Sequence, residues 1–251
     1  MPITVRKSSD RGSANHGWLN TKHTFSFASY YDPRFESFGP LRVINEDRVA
    51  GGTGFGTHGH ANAEIYSYVV SGKLEHRDSM GNREVLSRGD VQFTSAGSGI
   101  RHSEYNGDKK APVHFLQIWV TPERRNLKPR YDTKTFSDAD KNGKLKLLVS
   151  KGGEDGSIAI NQDISTYASL LDNDAEVEHK FAEGRAGYIH VVETEGSGGV
   201  VLNSETKLKP GDGAFVTDLG SLAIKGVAEE GSKAELLLFD LKAPESATYK
   251  L

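Results

Sequence analysis

Short apolar runs separated by glycine-rich turns dominate the first half of the chain. β-Branched and aromatic residues are concentrated at residues 64–70, 91–94 and 113–120. Turn sequences rich in Gly, Asn, Asp and Ser lie between these runs, for example at residues 79–82 and 87–90. Short strands joined by such turns are typical of a β-sandwich or a β-barrel. The pattern predicts no amphipathic helix of any length.

A second series of strands follows a charged segment at residues 121–146. These further strands are predicted at residues 188–192, 199–202, 213–217 and 235–241. The two series share one pattern, because residues 85–93 align with residues 207–215 as a strand end, a Gly-Asp turn and a new strand. We therefore predict an all-β protein with two tandem jelly-roll-like β-barrels, one over residues 1–130 and one over residues 131–251.

Two pairs of polar residues at strand spacing are the main candidates for chemistry. His58 and His60 are two residues apart, as are His102 and Glu104. Side chains at i and i+2 of a strand point to the same face, so each pair would converge. A single His-x-His pair has little weight, but two pairs, each preceded by glycine-rich sequence, predict one metal site. Three imidazoles and one carboxylate suit a first-row transition metal with open coordination positions, as catalysis requires.

Composition narrows the classes of function. The chain has 251 residues and a formal net charge of −3, which argues against direct nucleic-acid binding because that needs an excess of Lys and Arg. There is no cysteine, so disulfides and thiolate metal sites are excluded, and any metal must use His, carboxylate or carbonyl ligands. The N-terminus lacks the apolar run of a signal peptide, and no stretch reaches the length of a membrane span. A cytoplasmic protein without membrane partners is expected.

The residues around the two pairs resemble the motifs of the cupin superfamily. The first motif runs from Gly52 to Glu64 and the second from Gly89 to Asn106, with Ser95 where most cupins have proline. More narrowly, the chain resembles the pirin family, most densely over its first half, and within it the quercetin 2,3-dioxygenase type. This resemblance is carried by residues 15–19, 23–27, 30–33, 41–45, 75–82 and 95–104.

The resemblance implies a bicupin whose N-terminal barrel binds one divalent metal ion, while its C-terminal barrel lacks a metal site. The implied ligands are His58, His60, His102 and Glu104, and the implied metal is Fe(II), with Cu, Ni, Co, Mn and Zn as alternatives. The implied reaction is the cleavage of a flavonol such as quercetin by O₂, with Glu104 as general base for the substrate hydroxyl. The alternative is a non-enzymatic, iron- and redox-responsive regulator that binds transcription-related proteins, in the nucleus if the source is eukaryotic.

The choice of the carboxylate ligand is open between two residues. Many cupins use the first-motif position of Glu64, whereas pirins use the second-motif position of Glu104. Strand parity places Glu104 beside His102, so we expect Glu104 to be the ligand. Glu64 would then accept a hydrogen bond from a ligand imidazole.

The second half has no side chains that would repeat this site. Asp90 precedes His102 by twelve residues, and the residue twelve positions after Asp212 is Ile224. Gly226 stands at the position of the carboxylate. We interpret the remaining histidines as ordinary polar residues, namely His16, His23, His76, His114, His179 and His190.

Aromatic side chains are crowded into residues 15–40. They are Trp18, Phe25, Phe27, Tyr30, Tyr31, Phe35 and Phe38. Two interpretations stand side by side. The first, which we favour, is packing in the core or over one end of the first barrel, and the second is that some rings line a pocket for an aromatic ligand.

Overall fold

The computed structural model describes residues 2–244. The strands of the first half are β1 (Ile3–Arg6), β2 (Gly12–Asn15), β3 (Leu19–His23), β4 (Leu41–Val49), β5 (Gly54–His60), β6 (Glu64–Ser71), β7 (Leu74–Asp78), β8 (Arg83–Leu86), β9 (Asp90–Ser95), β10 (Ile100–Asn106), β11 (Val113–Val120) and β12 (Arg130–Thr135). Those of the second half are β13 (Lys146–Lys151), β14 (Ile158–Ile160), β15 (Ile164–Leu171), β16 (Glu176–Lys180), β17 (Arg185–Val191), β18 (Gly199–Leu202), β19 (Thr206–Leu208), β20 (Gly213–Val216), β21 (Ser221–Val227) and β22 (Ala234–Lys242).

Within residues 2–244, helical structure is limited to short turns. One α-helical turn, α1 (Asp138–Lys141), follows β12, and 3-10 turns lie at Ser8–Asp10 and Glu154–Gly156. Ser137 caps α1, because its side chain accepts a hydrogen bond from the backbone N–H of Asp140. Among the residues described, none of the helices has the length and apolar character needed to cross a membrane.

Each half consists of a seven-stranded sheet and a four-stranded sheet. In the first half the strand orders are β12-β9-β6-β11-β4-β3-β2 and β5-β10-β7-β8. In the second half they are β1-β20-β17-β22-β15-β13-β14 and β16-β21-β18-β19. The predicted all-β class and the tandem repeat of two similar units are confirmed.

The turn that first indicated the repeat has the same construction in both halves. The Asp90 carboxylate accepts a hydrogen bond from the backbone N–H of Ser87 at 2.7 Å, and Asp212 accepts one from Lys209 at 2.9 Å. The glycine before each aspartate has a positive φ, 85° and 83°, which glycine adopts without steric cost. Each turn then leads into a strand of a seven-stranded sheet, β9 or β20.

Strands cross the predicted boundary between the halves in both directions. β1 pairs with β20, with Ile3 opposite Val216, so the N-terminal strand belongs to the sheet of the second half. β12, which begins at the predicted boundary, pairs with β9 of the first half. The division at residue 130 therefore stays a prediction.

The two seven-stranded sheets pack back to back over a large apolar core. Tyr66 on β6 reaches across this core, and its hydroxyl lies 2.8 Å from Thr166 Oγ1 on β15. Three rings of the aromatic-rich segment 15–40 are buried in the same core beside Phe215, namely Phe25, Phe35 and Phe38. For these three rings, packing in the core is the interpretation that fits.

Candidate metal centre

The two predicted pairs lie side by side on β5 and β10. These strands are antiparallel neighbours, with His102 opposite His58 and Ile100 opposite His60. The register shifts between His102 and Glu104, because β5 has an extra residue there. His102 and Glu104 are both buried, whereas the residues between and beside them are more exposed, so the pair shares the inner face as predicted.

The imidazoles of His58, His60 and His102 form a three-histidine cluster. Their ring centroids are 4.5 to 4.8 Å apart, and one nitrogen from each lies within 4.8 Å of the others. His58 Nε2 and His102 Nε2 are separated by 3.0 Å. His58 Nδ1 lies 2.8 Å from the carbonyl oxygen of Gly56 and must donate to it, which leaves a lone pair on Nε2. The bulge in β5 thus orients a ligand atom.

Burial favours the neutral form of two of the three imidazoles. It lowers the pKa of His60 to about 4 and that of His102 to about 3, and the neighbouring imidazoles add to both shifts. His60 Nε2 is buried, and no described residue offers it a hydrogen-bond partner. Imidazole nitrogens whose lone pairs converge on one point suit a divalent cation, so the side chains present fit a metal site.

Glu104 lies beside the three-histidine cluster, and two polar side chains contact its carboxylate. Its Oε2 accepts a hydrogen bond from Gln117 Nε2 at 2.7 Å, and its Oε1 lies 3.2 Å from Ser67 Oγ. A Glu104 oxygen lies within 4.8 Å of ligand nitrogens from both His102 and His76. The structure therefore groups Glu104 with His102, as expected, and also with His76, which the sequence interpretation treated as ordinary. The only sequence signal for His76 is its i, i+2 spacing from Asp78 on a strand.

The sheet that faces the cluster carries a continuous polar row. Cross-strand register places His23 opposite Asn45, Asn45 opposite Gln117, and Gln117 opposite Ser67. The row ends at Gln92, which lies opposite Ser67. These side chains make one face of the interior of the first half polar. Two of them, Gln117 and Ser67, contact the carboxylate of Glu104.

Glu64 has partners away from the cluster. Its Oε1 accepts a hydrogen bond from Ser95 Oγ at 2.5 Å, and its Oε2 accepts two from the backbone and side-chain amides of Asn161 at 3.0 Å. The donors are therefore not the imidazoles that the sequence interpretation anticipated. Ser95 replaces the usual proline of the motif, and its hydroxyl has this buried carboxylate as its partner.

An aromatic wall borders the cluster on one side. The ring of Trp119 packs edge-on against His60 at 4.7 Å, and Phe27 packs edge-on against Trp119 at 5.5 Å. The indole nitrogen of Trp119 is buried, and the described part of the chain provides no hydrogen-bond acceptor for it. Phe27 thus packs outside the core that holds three other rings of this segment, and its role in a ligand pocket stays a prediction.

The positions of the second half that correspond to His58 and His102 are apolar. β16 pairs with β21 as β5 pairs with β10, and Val177 lies opposite Ile224 where His58 lies opposite His102. Ile224 is fully buried in an apolar cluster. His179 stands opposite Leu222, in the place of His60, but its Nε2 is 2.7 Å from the Asp240 carboxylate.

The other histidines have separate environments. His16 is exposed, and His23 Nδ1 lies 2.8 Å from Asn45 Oδ1. His114 and His190 each donate from Nε2 to the buried carboxylate of Glu46 at 3.1 Å. These contacts agree with their interpretation as ordinary polar residues.

Fold and site together define a bicupin with one candidate metal centre. The Pirin family model matches residues 4–120, and the model for the quercetinase C-terminal cupin domain matches residues 147–241. The chain belongs to the pirin family.

Relatives and solved structures agree with this assignment. A quercetin 2,3-dioxygenase of Escherichia coli K12 is 44% identical over 239 residues, which cover 95% of this chain and 98% of that protein. A pirin-like protein of Caulobacter vibrioides is 38% identical over 237 residues, covering 94% of this chain and 98% of its own. The crystal structure of the E. coli pirin YhhW in complex with nickel(II) has a TM-score of 0.88 and 42% identity, covering 96% of this chain and 100% of that chain.

Proposed function

We propose that this pirin is a metal-dependent dioxygenase that cleaves flavonols such as quercetin with O₂. The observation that carries the proposal is the three-histidine cluster beside a buried carboxylate and an aromatic wall. The similarity to a protein named quercetin 2,3-dioxygenase over 95% of the chain supports the substrate class. The proposed ligands of one divalent ion are His58, His60, His102 and Glu104, with Fe(II) as the expected metal. Action in the cytoplasm stays a prediction.

The bound metal would act as a Lewis acid toward a substrate hydroxyl and would provide a position for O₂. His60 and His102 contribute neutral nitrogen donors, because burial disfavours their protonation. Glu104 contributes a proton acceptor close to the same point. Gln117 and Ser67 fix this carboxylate on one side, so that it would meet a substrate hydroxyl in a defined orientation.

The aromatic wall suits a flat aromatic substrate. Trp119 and Phe27 offer ring edges and faces against which a flavonol ring can pack. The unpartnered indole N–H of Trp119 is a donor for a substrate oxygen, and pairing it would remove the penalty of a buried unsatisfied group. Orientation of the flavonol would thus come from the wall, and proton removal from Glu104.

The test combines elemental analysis with quercetin turnover under air and under nitrogen. Wild-type protein reconstituted with Fe(II) should consume O₂ and quercetin together and should be inactive without O₂. The variant His58→Ala should lose activity and bind Fe(II) more weakly than the wild type, because it removes one of three imidazoles. His16→Ala is the matched control, since it removes an exposed histidine far from the cluster in sequence.

Two outcomes would contradict the proposal. One is full flavonol cleavage by a His58→Ala protein that contains no metal. The other is absence of oxygen uptake by iron-loaded wild type with a broad set of flavonols and catechols. If protein capture then changed with the oxidation state of the metal, the redox-responsive regulator would replace the dioxygenase.

A further inference from the structure

We propose that His76, His102 and Glu104 form a second, inner position for the divalent ion, which overlaps the outer position at the three-histidine cluster. The inference rests on the proposed function only in that a divalent ion enters this site, and it does not depend on flavonol turnover. The three inner residues are all buried, and each offers a ligand atom within 4.8 Å of the other two.

Strand register places His76 directly next to the carboxylate. β7 pairs with β10, so that His76 lies opposite Glu104 and Asp78 lies opposite His102. The side chain of His76 is fully buried, and its ring centroid is 5.4 Å from that of His102. The inner position thus lies on β10 and β7 of the four-stranded sheet, whereas the outer position lies on β5 and β10.

Asp78 determines which nitrogen of His76 carries the proton. The Asp78 carboxylate accepts hydrogen bonds from the backbone N–H groups of Met80 and Asn82 and from the Asn82 side chain, at 2.8 to 3.1 Å. An acceptor of this kind, 3.2 Å from His76 Nε2, requires Nε2 to donate. His76 Nδ1 then has the free lone pair, which is the ligand form of the ring.

That lone pair has no other use within the described structure. His76 Nδ1 and His102 Nδ1 are both buried, and neither has a hydrogen-bond partner among residues 2–244. The ring of His76 is held in place by Tyr131, because the two ring centroids are 4.9 Å apart. Tyr131 is itself fixed, since its hydroxyl donates a hydrogen bond to Glu84 at 2.8 Å. A buried acceptor nitrogen held in place without a donor indicates a cation or a proton as its partner.

The chemistry of the inner set favours a divalent metal. Two imidazoles and a carboxylate are a common ligand set for first-row divalent metals. The carboxylate of Asp78 behind His76 repeats the arrangement that orients metal-binding imidazoles and strengthens them as donors. Because both positions include His102, we assign one ion to the pair of positions, and the ion lies at the inner one when the outer ligands are missing.

Cobalt(II) is the probe, because its visible absorption reports the ligand set. The double variant H58A/H60A removes the outer position and should still bind one Co²⁺ per chain by calorimetric titration. Adding His76→Ala should weaken this binding at least tenfold, and adding Asp78→Asn should weaken it in the same direction. Adding His16→Ala instead is the matched control and should leave the affinity unchanged.

The proposal is overturned if H58A/H60A binds no Co²⁺, or binds it equally well with and without His76. Circular dichroism establishes that each variant is folded, and Asp78→Asn, which keeps the size of the side chain, serves if His76→Ala is not. Quercetin turnover by the wild type is measured separately. If the wild type shows no quercetin turnover while the Co²⁺ affinities of the variants follow the expected order, the dioxygenase proposal is rejected and the inner position is supported.

Discussion

The hydrogen bond made by one ring nitrogen of a histidine determines whether the other nitrogen has a lone pair for a metal ion. His58 donates from Nδ1 to a backbone carbonyl, so its Nε2 faces the cluster as a lone-pair donor. His76 donates from Nε2 to Asp78, so that its Nδ1 is the free atom. The acceptor behind each ring thus determines which nitrogen is free for an ion at the proposed outer or inner position, and each acceptor lies on the same strand as its histidine.

Trp119→Phe tests the wall at the residue scale. Phenylalanine keeps an aromatic ring but removes the buried indole N–H, so one hydrogen bond to the substrate is lost. We expect KM for quercetin to rise roughly two- to tenfold, with unchanged metal content by elemental analysis. Trp18→Phe is the control, because Trp18 packs against Phe55 at 5.2 Å and not against the wall. Equal KM values for both variants would remove the hydrogen-bonding role of Trp119.

Glu64→Gln separates the two candidate carboxylates. The amide keeps the size of the side chain but replaces charged acceptors of three hydrogen bonds from Ser95 and Asn161. We expect the metal content to stay at the wild-type level and the free energy of unfolding to fall by about 1–3 kcal/mol. Denaturant titration and elemental analysis measure these effects, with Glu104→Gln as the comparison that should lose metal affinity. A metal-free Glu64→Gln protein would show that Glu64 is a ligand.

At the scale of elements, the site depends on the pairing of three neighbouring strands. β5, β10 and β7 lie next to one another in the sheet, although β6 to β9 lie between β5 and β10 along the chain. The bulge in β5 gives His102 and Glu104 different opposite residues, His58 and Phe55. The outer and inner ligand sets that we propose therefore depend on register and not on any single strand.

Removal of residues 2–6 tests the strand exchange between the halves. It deletes β1, so β20 loses its edge partner, and Ile3 and Val5 no longer pack against the apolar cluster of the second half. We expect the free energy of unfolding to fall by roughly 2–4 kcal/mol and hydrogen exchange in β20 to accelerate. Thr4→Ala keeps the strand and is the control. Unchanged protection of the β20 amides in the deletion variant would count against this role of β1.

At the scale of the whole molecule, one buried carboxylate joins the two halves. Glu46 on β4 accepts hydrogen bonds from Arg11 and His114 of the first half at 3.1 Å. It also accepts them from His190 at 3.1 Å and from the backbone N–H of Glu193 at 2.8 Å, both in the second half. Burial raises the pKa of Glu46, but the hydrogen bonds from the histidines and the nearby charges outweigh burial and hold it well below its usual value.

Glu46→Gln should therefore destabilise the entire protein. It leaves the guanidinium of Arg11, which has no exposed side-chain surface, without its counter-charge, at a cost of about 3–5 kcal/mol. Asp174→Asn, which breaks the exposed pair with Lys225, should change stability by less than about 0.5 kcal/mol. Chemical denaturation of both variants at pH 7 measures the difference.

The same substitution has a defined pH dependence. Because the pKa of Glu46 is lowered on folding, its contribution is complete above the unfolded value of about 4.3 and fades as the pH falls below it. The difference in stability between wild type and Glu46→Gln should thus be constant from about pH 5 to 7 and narrow in acid. A difference that grows in acid would contradict the assigned charge of Glu46.

The amino-acid sequence by itself determined the all-β class, the tandem repeat and the two i, i+2 pairs, because strand parity and turn chemistry are local. The Asp90 and Asp212 turns are visible in the chain for the same reason. Only the tertiary structure decided that β1 belongs to the sheet of the second half, that Phe27 packs against Trp119 outside the core, and that Glu64 accepts hydrogen bonds from Asn161. It also brought His76 next to Glu104, since contacts between strands distant along the chain depend on sheet order and register, which local patterns do not encode.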